Sequence, residues 1–159
     1  MSEIDGDEEF QQAGAGASLT YPMEAGKIRK GMYINIKGHP CKVVDVSTSK
    51  TGKHGHAKAH FVATEIFTNK KMEELCPASH NAEVPFVSKA QYLLIDIADD
   101  GFVSLMDSDG NTKDDLELPD DDVGREIQAA FNDGDSIDVQ VISAMDTSKI
   151  ISWSKNTKD

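Results

Sequence analysis

Along the first half of the chain, apolar residues come in short runs with a two-residue beat. In GMYINIKG, Met32, Ile34 and Ile36 alternate with Tyr33, Asn35 and Lys37, the period of a half-buried strand. Lys37, Gly38, His39 and Pro40 read as a turn, CKVVDVS as a second strand and HFVATEIFT as a third. Thr68, Asn69 and Lys70 then turn the chain into a fourth strand, KMEELC. No helical period interrupts them. Several short strands at regular spacing predict a small barrel rather than a βαβ unit, and the SH3-like barrel is the commonest small solution. Val84, Pro85 and Phe86 read as a boundary, because proline ends strand pairing.

The second half repeats the strand texture and then breaks it. AQYLLIDIA, FVSLMD and TKDDLELP read as three strands separated by the turns ADDG and SDGN. Val123, Ile127, Ala130 and Phe131 then fall at i, i+4, i+7 and i+8, which predicts an amphipathic helix from about Asp120 to Phe131. Three aspartates open it, where the macrodipole favours acids, and Asn132, Asp133 and Gly134 close it. Gly124 inside it costs about 1 kcal/mol relative to alanine, so this helix needs tertiary packing. DSIDVQVISAM and KIISWSK supply two last strands. Three strands, a helix and two strands is the order of a five-stranded Greek-key barrel of the OB type. The expected fold class is therefore mainly all-β. A disordered acidic tail (1–19) precedes an SH3-like barrel (20–84), and an OB domain (85–159) follows, with its helix between its third and fourth strands.

Charge changes this picture. The 159 residues carry 28 Asp and Glu against 16 Lys and Arg, a formal net charge of −12. The distribution is uneven: residues 1 to 20 carry −5, residues 21 to 85 carry +4 and residues 86 to 159 carry −11. The tail is too polar to bury enough surface to offset ordering entropy. The OB-like half would repel phosphates. Trp153 and Phe102 there are aromatic enough to stack on bases, but such side chains in barrel strands usually belong to the core. That half reads as a spacer or docking module.

The positive part concentrates its charge in one connection. From Val46 to Thr64 there is no acid, while three lysines and three of the five histidines gather in STSKTGKHGHAKAH. Read as a loop over 47–58, this is about twelve residues, against the usual two to five of a hairpin. As two extended arms of six it reaches roughly 20 Å from the body, with Lys53 at the turn between Gly52 and His54, Gly55. A phosphate-cradling loop is excluded: Ser47 stands where its first glycine belongs, His54 where its final hydroxyl belongs, and the next segment reads as strand rather than helix. His54, His56 and His60 have imidazoles suited to zinc, copper or nickel, but no thiol or carboxylate lies nearby in sequence, so adventitious metal binding is the better reading. Cys41 and Cys76 read as buried reduced thiols of a cytosolic protein. No apolar run resembles a signal peptide or a membrane span.

The run STSKTGKHGHAK, with YPMEAGKIRKG and KGHPCKVVDV before it and HFVATEIFTNKK after it, closely resembles the eukaryotic translation initiation factor 5A family, hypusine-bearing relatives of bacterial elongation factor P. The likeness is dense over about residues 20 to 85 and continues by strand order and short stretches such as SAMD. Ala78 in CPASHN and Phe86 after VP depart from it. The resemblance implies that Lys53 receives the aminobutyl group of spermidine from deoxyhypusine synthase and a hydroxyl from deoxyhypusine hydroxylase. It implies that Lys50, Thr51, Gly52, His54, Gly55, His56 and Lys58 contact those enzymes or ribosomal RNA and tRNA. It implies a cytoplasmic, non-enzymatic factor that binds the ribosome beside peptidyl-tRNA, relieves stalling at proline runs and aids termination. No cofactor is implied beyond the covalent spermidine-derived group, and a weak homodimer is left open. The alternative from the residues alone is a general RNA-binding module independent of lysine modification.

Overall fold

The computed structural model describes residues 19 to 50 and 57 to 156. The expected tail, apart from Leu19, and six residues of the basic connection lie outside these. The chain divides into two compact units, Met1–Phe86 and Val87–Asp159.

In the first unit the strands are β1 (Thr20–Glu24), β2 (Tyr33–Ile36), β3 (His39–Lys50), β4 (Ala57–Glu65), β5 (Lys71–Pro77) and β6 (Asn81–Pro85). β2 to β5 form an antiparallel meander, and β1 pairs with β6. Alternation places Ile34, Ile36, Cys41, Val43, Ala59, Phe61 and Ala63 on the buried side, where they pack with Ala25, Ile28 and Val84. Beyond β1 and β6, which the alternation did not predict, four details differ from the sequence expectation. The first turn is tighter: Lys37 and Gly38 alone make it, both at positive φ (52° and 83°), so His39 and Pro40 already belong to β3. β4 stops at Glu65, because the buried Glu65 carboxylate accepts from the Phe67 N–H (2.5 Å) and the Thr68 hydroxyl (3.3 Å) and bends Ile66 to Thr68 into a turn. Pro85 sits inside β6 opposite Thr20, and Phe86 N–H donates to Leu19 O (3.1 Å), so the first unit ends two residues later than the pattern placed it. The fourth difference, the length of the β3–β4 arms, belongs to the site.

In the second unit β7 (Ser88–Ile97), β8 (Phe102–Met106), β9 (Thr112–Glu117), β10 (Ile137–Ala144) and β11 (Thr147–Lys155) form one sheet in the order β9-β8-β7-β10-β11. The two edge strands β9 and β11 approach one another, curling the sheet into a partly open barrel. Helix α1 (Asp122–Asn132) lies between the third and fourth strands, as expected, and buries Ile127 and Ala130 against Val103, Leu105, Val139 and Ile150. Asp121 caps it, accepting from Gly124 N–H at 3.1 Å. Trp153 packs against this core and donates its indole N–H to Glu126 Oε1 (2.9 Å). Phe102 stays exposed at the start of β8, contrary to the core reading.

Candidate functional site

The basic connection begins as ladder, not as loop. β3 and β4 remain paired through Ser47↔His60, Thr48↔Ala59, Ser49↔Lys58 and Lys50↔Ala57. The twelve-residue loop of the sequence reading is therefore shorter by a paired segment on each side. The pattern missed this because Ser47 to Lys50 are exposed and carry no apolar alternation; cross-strand backbone hydrogen bonds hold the arms there. Since side chains alternate across a strand, the register puts Lys50 on one face of the ribbon and Lys58 on the other. Lys53 itself lies outside the described residues, with Thr51, Gly52, His54, Gly55 and His56.

On the outer face His60 Nε2 sits 2.9 Å from Glu73 Oε1, tying β4 to β5 below the arms. That ring nitrogen is engaged by a carboxylate, and among the described residues no group of His, Cys, Asp and Glu could hold a metal. Of the two free thiols, Cys41 is buried and Cys76 only half-buried. Burial pushes the Cys41 thiol up to about 11, with a further rise from the Glu65 carboxylate, and burial and then Glu74 raise that of Cys76.

A second basic element, not singled out in the sequence, is fastened to the root of the arms. A short 3-10 turn, Ala25–Lys27, packs against the turn after β5: Gly26 N–H donates to Ala78 O (2.9 Å) and Ala25 N–H to His80 O (2.8 Å). Ala78 N–H in turn donates to Ala57 O (2.8 Å), and Arg29 Nη1 donates to Gly26 O (2.7 Å). Lys27 and Arg29, on or just after the 3-10 turn, and His80 thus belong to segments tied through Ala78 to Ala57, the cross-strand partner of Lys50. The signal was present in the spacing of GKIRK, three cations in four residues, but only the fold places them beside a connection some twenty residues further on.

Comparison with known proteins finds matches in both units. Residues 18–80 match the family model described as "Translation initiation factor 5A-like, N-terminal", and residues 86–154 match "Eukaryotic elongation factor 5A hypusine, DNA-binding OB fold". Eukaryotic translation initiation factor 5A-4 of Solanum tuberosum is 60% identical over 148 residues, 91% of this chain and 93% of its own length. The chain belongs to the translation initiation factor 5A family. Its similarity to eukaryotic translation initiation factor 5A-2 of Saccharomyces cerevisiae is 55% identity over 144 residues, covering 91% of each chain. Among solved structures, the initiation factor 5A family protein of Naegleria fowleri superposes with a TM-score of 0.81 at 49% identity, over 86% of this chain and 99% of that one. The factor 5A of Methanococcus jannaschii superposes at 0.67 and 31% identity, over 86% and 96%. The chain is thus a translation factor of this family rather than an enzyme. Among the described residues no helix is long and apolar enough to cross a membrane.

Proposed function

We propose that this factor docks on the ribosome with its basic unit and uses a hypusine on Lys53 to position peptidyl-tRNA. One observation carries the reading: the β3–β4 ladder runs past the core to Lys50 and Ala57, with Lys58 beside them and the basic segment after Ala25 tied through Ala78 to Ala57. An arm tied by a ladder, and braced through Ala78, holds its end in a defined direction. A charged group aimed at the 3′ end of peptidyl-tRNA would align reacting groups without donating or accepting a proton. Proline fixes φ and its secondary amine presents poorly, so proline runs gain most from alignment. The aminobutyl group, transferred from spermidine by deoxyhypusine synthase and hydroxylated by deoxyhypusine hydroxylase, adds a second amine and extends the reach of one lysine. Lys50, Thr51, Gly52, His54, Gly55, His56 and Lys58 then serve the modifying enzymes and the ribosomal RNA and tRNA contacts. The setting is cytoplasmic elongation, with a contribution to termination.

The test is reconstituted translation of a proline-run message with hypusinated protein, unmodified protein and Lys53→Arg. Only the first should speed synthesis, because arginine keeps the charge but does not serve as acceptor of the aminobutyl group. Equal rescue by all three would overturn the role of the modification.

A further inference from the structure

At the end of the barrel opposite the arms, two turns converge on a groove of about 540 Å³ lined by Lys37, His39, Lys70, Lys71 and Met72 together with the acids Glu65 and Glu73. His39 and Lys50 are the two ends of the twelve-residue β3, so at ~3.3 Å per residue the groove lies roughly 35 Å from the root of the loop. Its acids are already committed. The carboxylate of buried Glu65 accepts from Phe67 N–H and the Thr68 hydroxyl, and that hydroxyl also accepts from Lys70 N–H (3.3 Å). Glu73 is held by His60 at 2.9 Å and approached by Lys71 at 4.0 Å. Lys37 and Lys70 have no acidic partner among the described residues. Both are presented by hydrogen-bonded turns, Lys37 by the two-residue turn with Gly38 and Lys70 by the Glu65 to Lys70 turn. The same groove is lined by an imidazole, His39, whose side chain is 56% exposed and whose Nδ1 stands 4.0 Å from Glu65 Oε2, and by Met72, which packs against the core at its floor.

We infer that this groove binds one nucleotide of single-stranded RNA, its phosphate on Lys37 and Lys70 and its base against His39 and Met72. The concavity falls in the size range of small-ligand sites. Cations paired with a flat ring are how unstacked RNA bases are held, whereas a duplex offers no free base face. Phosphate recognition alone would need no concavity and no ring. The inference rests on RNA being this factor's working surface, but not on Lys53 or its modification.

The experiment uses the full chain made without the modifying enzymes, titrated with a single-stranded RNA hexanucleotide and followed by amide NMR shifts and by fluorescence anisotropy at several salt concentrations. Amides of Lys37, Lys70, Lys71 and Met72 should shift saturably. Lys37→Asn combined with Lys70→Ala should weaken binding about tenfold at low salt. It should also flatten the log–log salt slope by about 0.7, the value for one single-strand phosphate contact. Asparagine is chosen because it tolerates the positive φ of that turn. Lys50→Ala with Lys58→Ala should leave the groove shifts in place. Shifts confined to the arm end, or a double variant with unchanged affinity and slope, would overturn the inference. So would saturable binding of a phosphoserine peptide without binding of the RNA. Because no hypusine is present, failure here leaves the Lys53 reading standing, and success does not depend on it.

Discussion

Ala78 N–H donates to Ala57 O at 2.8 Å, joining the turn after β5 to the first described residue of β4. The same Ala78 accepts from Gly26 N–H at 2.9 Å through its own carbonyl. One peptide neighbourhood therefore connects the basic 3-10 turn to the root of the arm, and two predictions begin from it.

Gly26 is at the closest approach: a Cβ built there meets Ala78 O at 3.2 Å. Gly26→Val should push the 3-10 turn off Ala78, costing about 1 to 3 kcal/mol of stability. Ribosome association should weaken by more than its unfolded fraction explains. Denaturant titration and sedimentation with ribosomes check both. Unchanged stability would show that the turn yields freely.

Ribosome association should carry the salt dependence of the basic segment Lys27 to Lys30 and of the arm lysines. Replacing Lys27, Arg29 and Lys30 together by alanine should flatten the log–log salt slope, as should removing Lys50 and Lys58. Neutralising Asp99, Asp100 and Asp109 in the second unit should leave it nearly unchanged. If the acidic unit controlled the slope, the interface would belong there.

Gly124 yields a prediction whose sign separates two arguments. Helix propensity alone says that Gly124→Ala gains about 1 kcal/mol. A Cβ at that position, however, would lie 1.7 Å from Pro119 O, so helix α1 and the segment entering it would have to part. The second unit should lose about 3 kcal/mol or more, read by its denaturation midpoint. A stabilised variant would mean that the segment at Pro119 moves aside at little cost.

Asp121 ties the same helix to pH. Its carboxylate is held below the ordinary range chiefly by Gly124 N–H and then by Lys149, whose Nζ is 3.3 Å away. A carboxyl with a depressed folded value contributes stability that is complete above its unfolded value of about 3.9 and fades as pH falls through the folded one. Wild type should exceed Asp121→Ala by about 1 kcal/mol at pH 7, and the gap should narrow below about pH 4. A gap independent of pH would place the effect in packing instead.

The two cysteines should separate on alkylation of the native protein at pH 7.5. Cys41, buried and pushed up to about 11, presents almost no thiolate and no access, so label should enter at the half-buried Cys76 first. Cys41 should react only on unfolding. Mass spectrometry of labelled peptides decides it, and early label on Cys41 would reveal an opening of the β2–β3 core.

What could be read from the chain follows from where burial leaves a mark. Strands β8 and β10 and helix α1 of the second unit were legible because one face of each is apolar at the right period, whereas β9 buries only Leu116. In the first unit β1 and β6 were not, since TYPME and NAEVP each contain a proline and only Met23, Ala82 and Val84 turn toward the core. The upper arms left no mark at all: both faces of Ser47 to Lys50 meet solvent, and backbone pairing has no side-chain signature. The candidate lysines were found by charge segregation, but their placement on opposite faces needed register. Bringing the basic turn at Lys27 beside His80 needed a contact between segments about fifty residues apart, which no local pattern encodes.

The ladder that carries the basic connection also constrains how its reach can change. Adding one residue to each arm would extend it by ~3.3 Å, but it would exchange the faces of every later side chain, Lys50 and Lys58 included. Adding two to each restores the faces and advances the end by ~6.6 Å. The hairpin is therefore a ruler graduated in pairs of residues, and intermediate lengths are reachable only through a bulge such as the one already present at Val44.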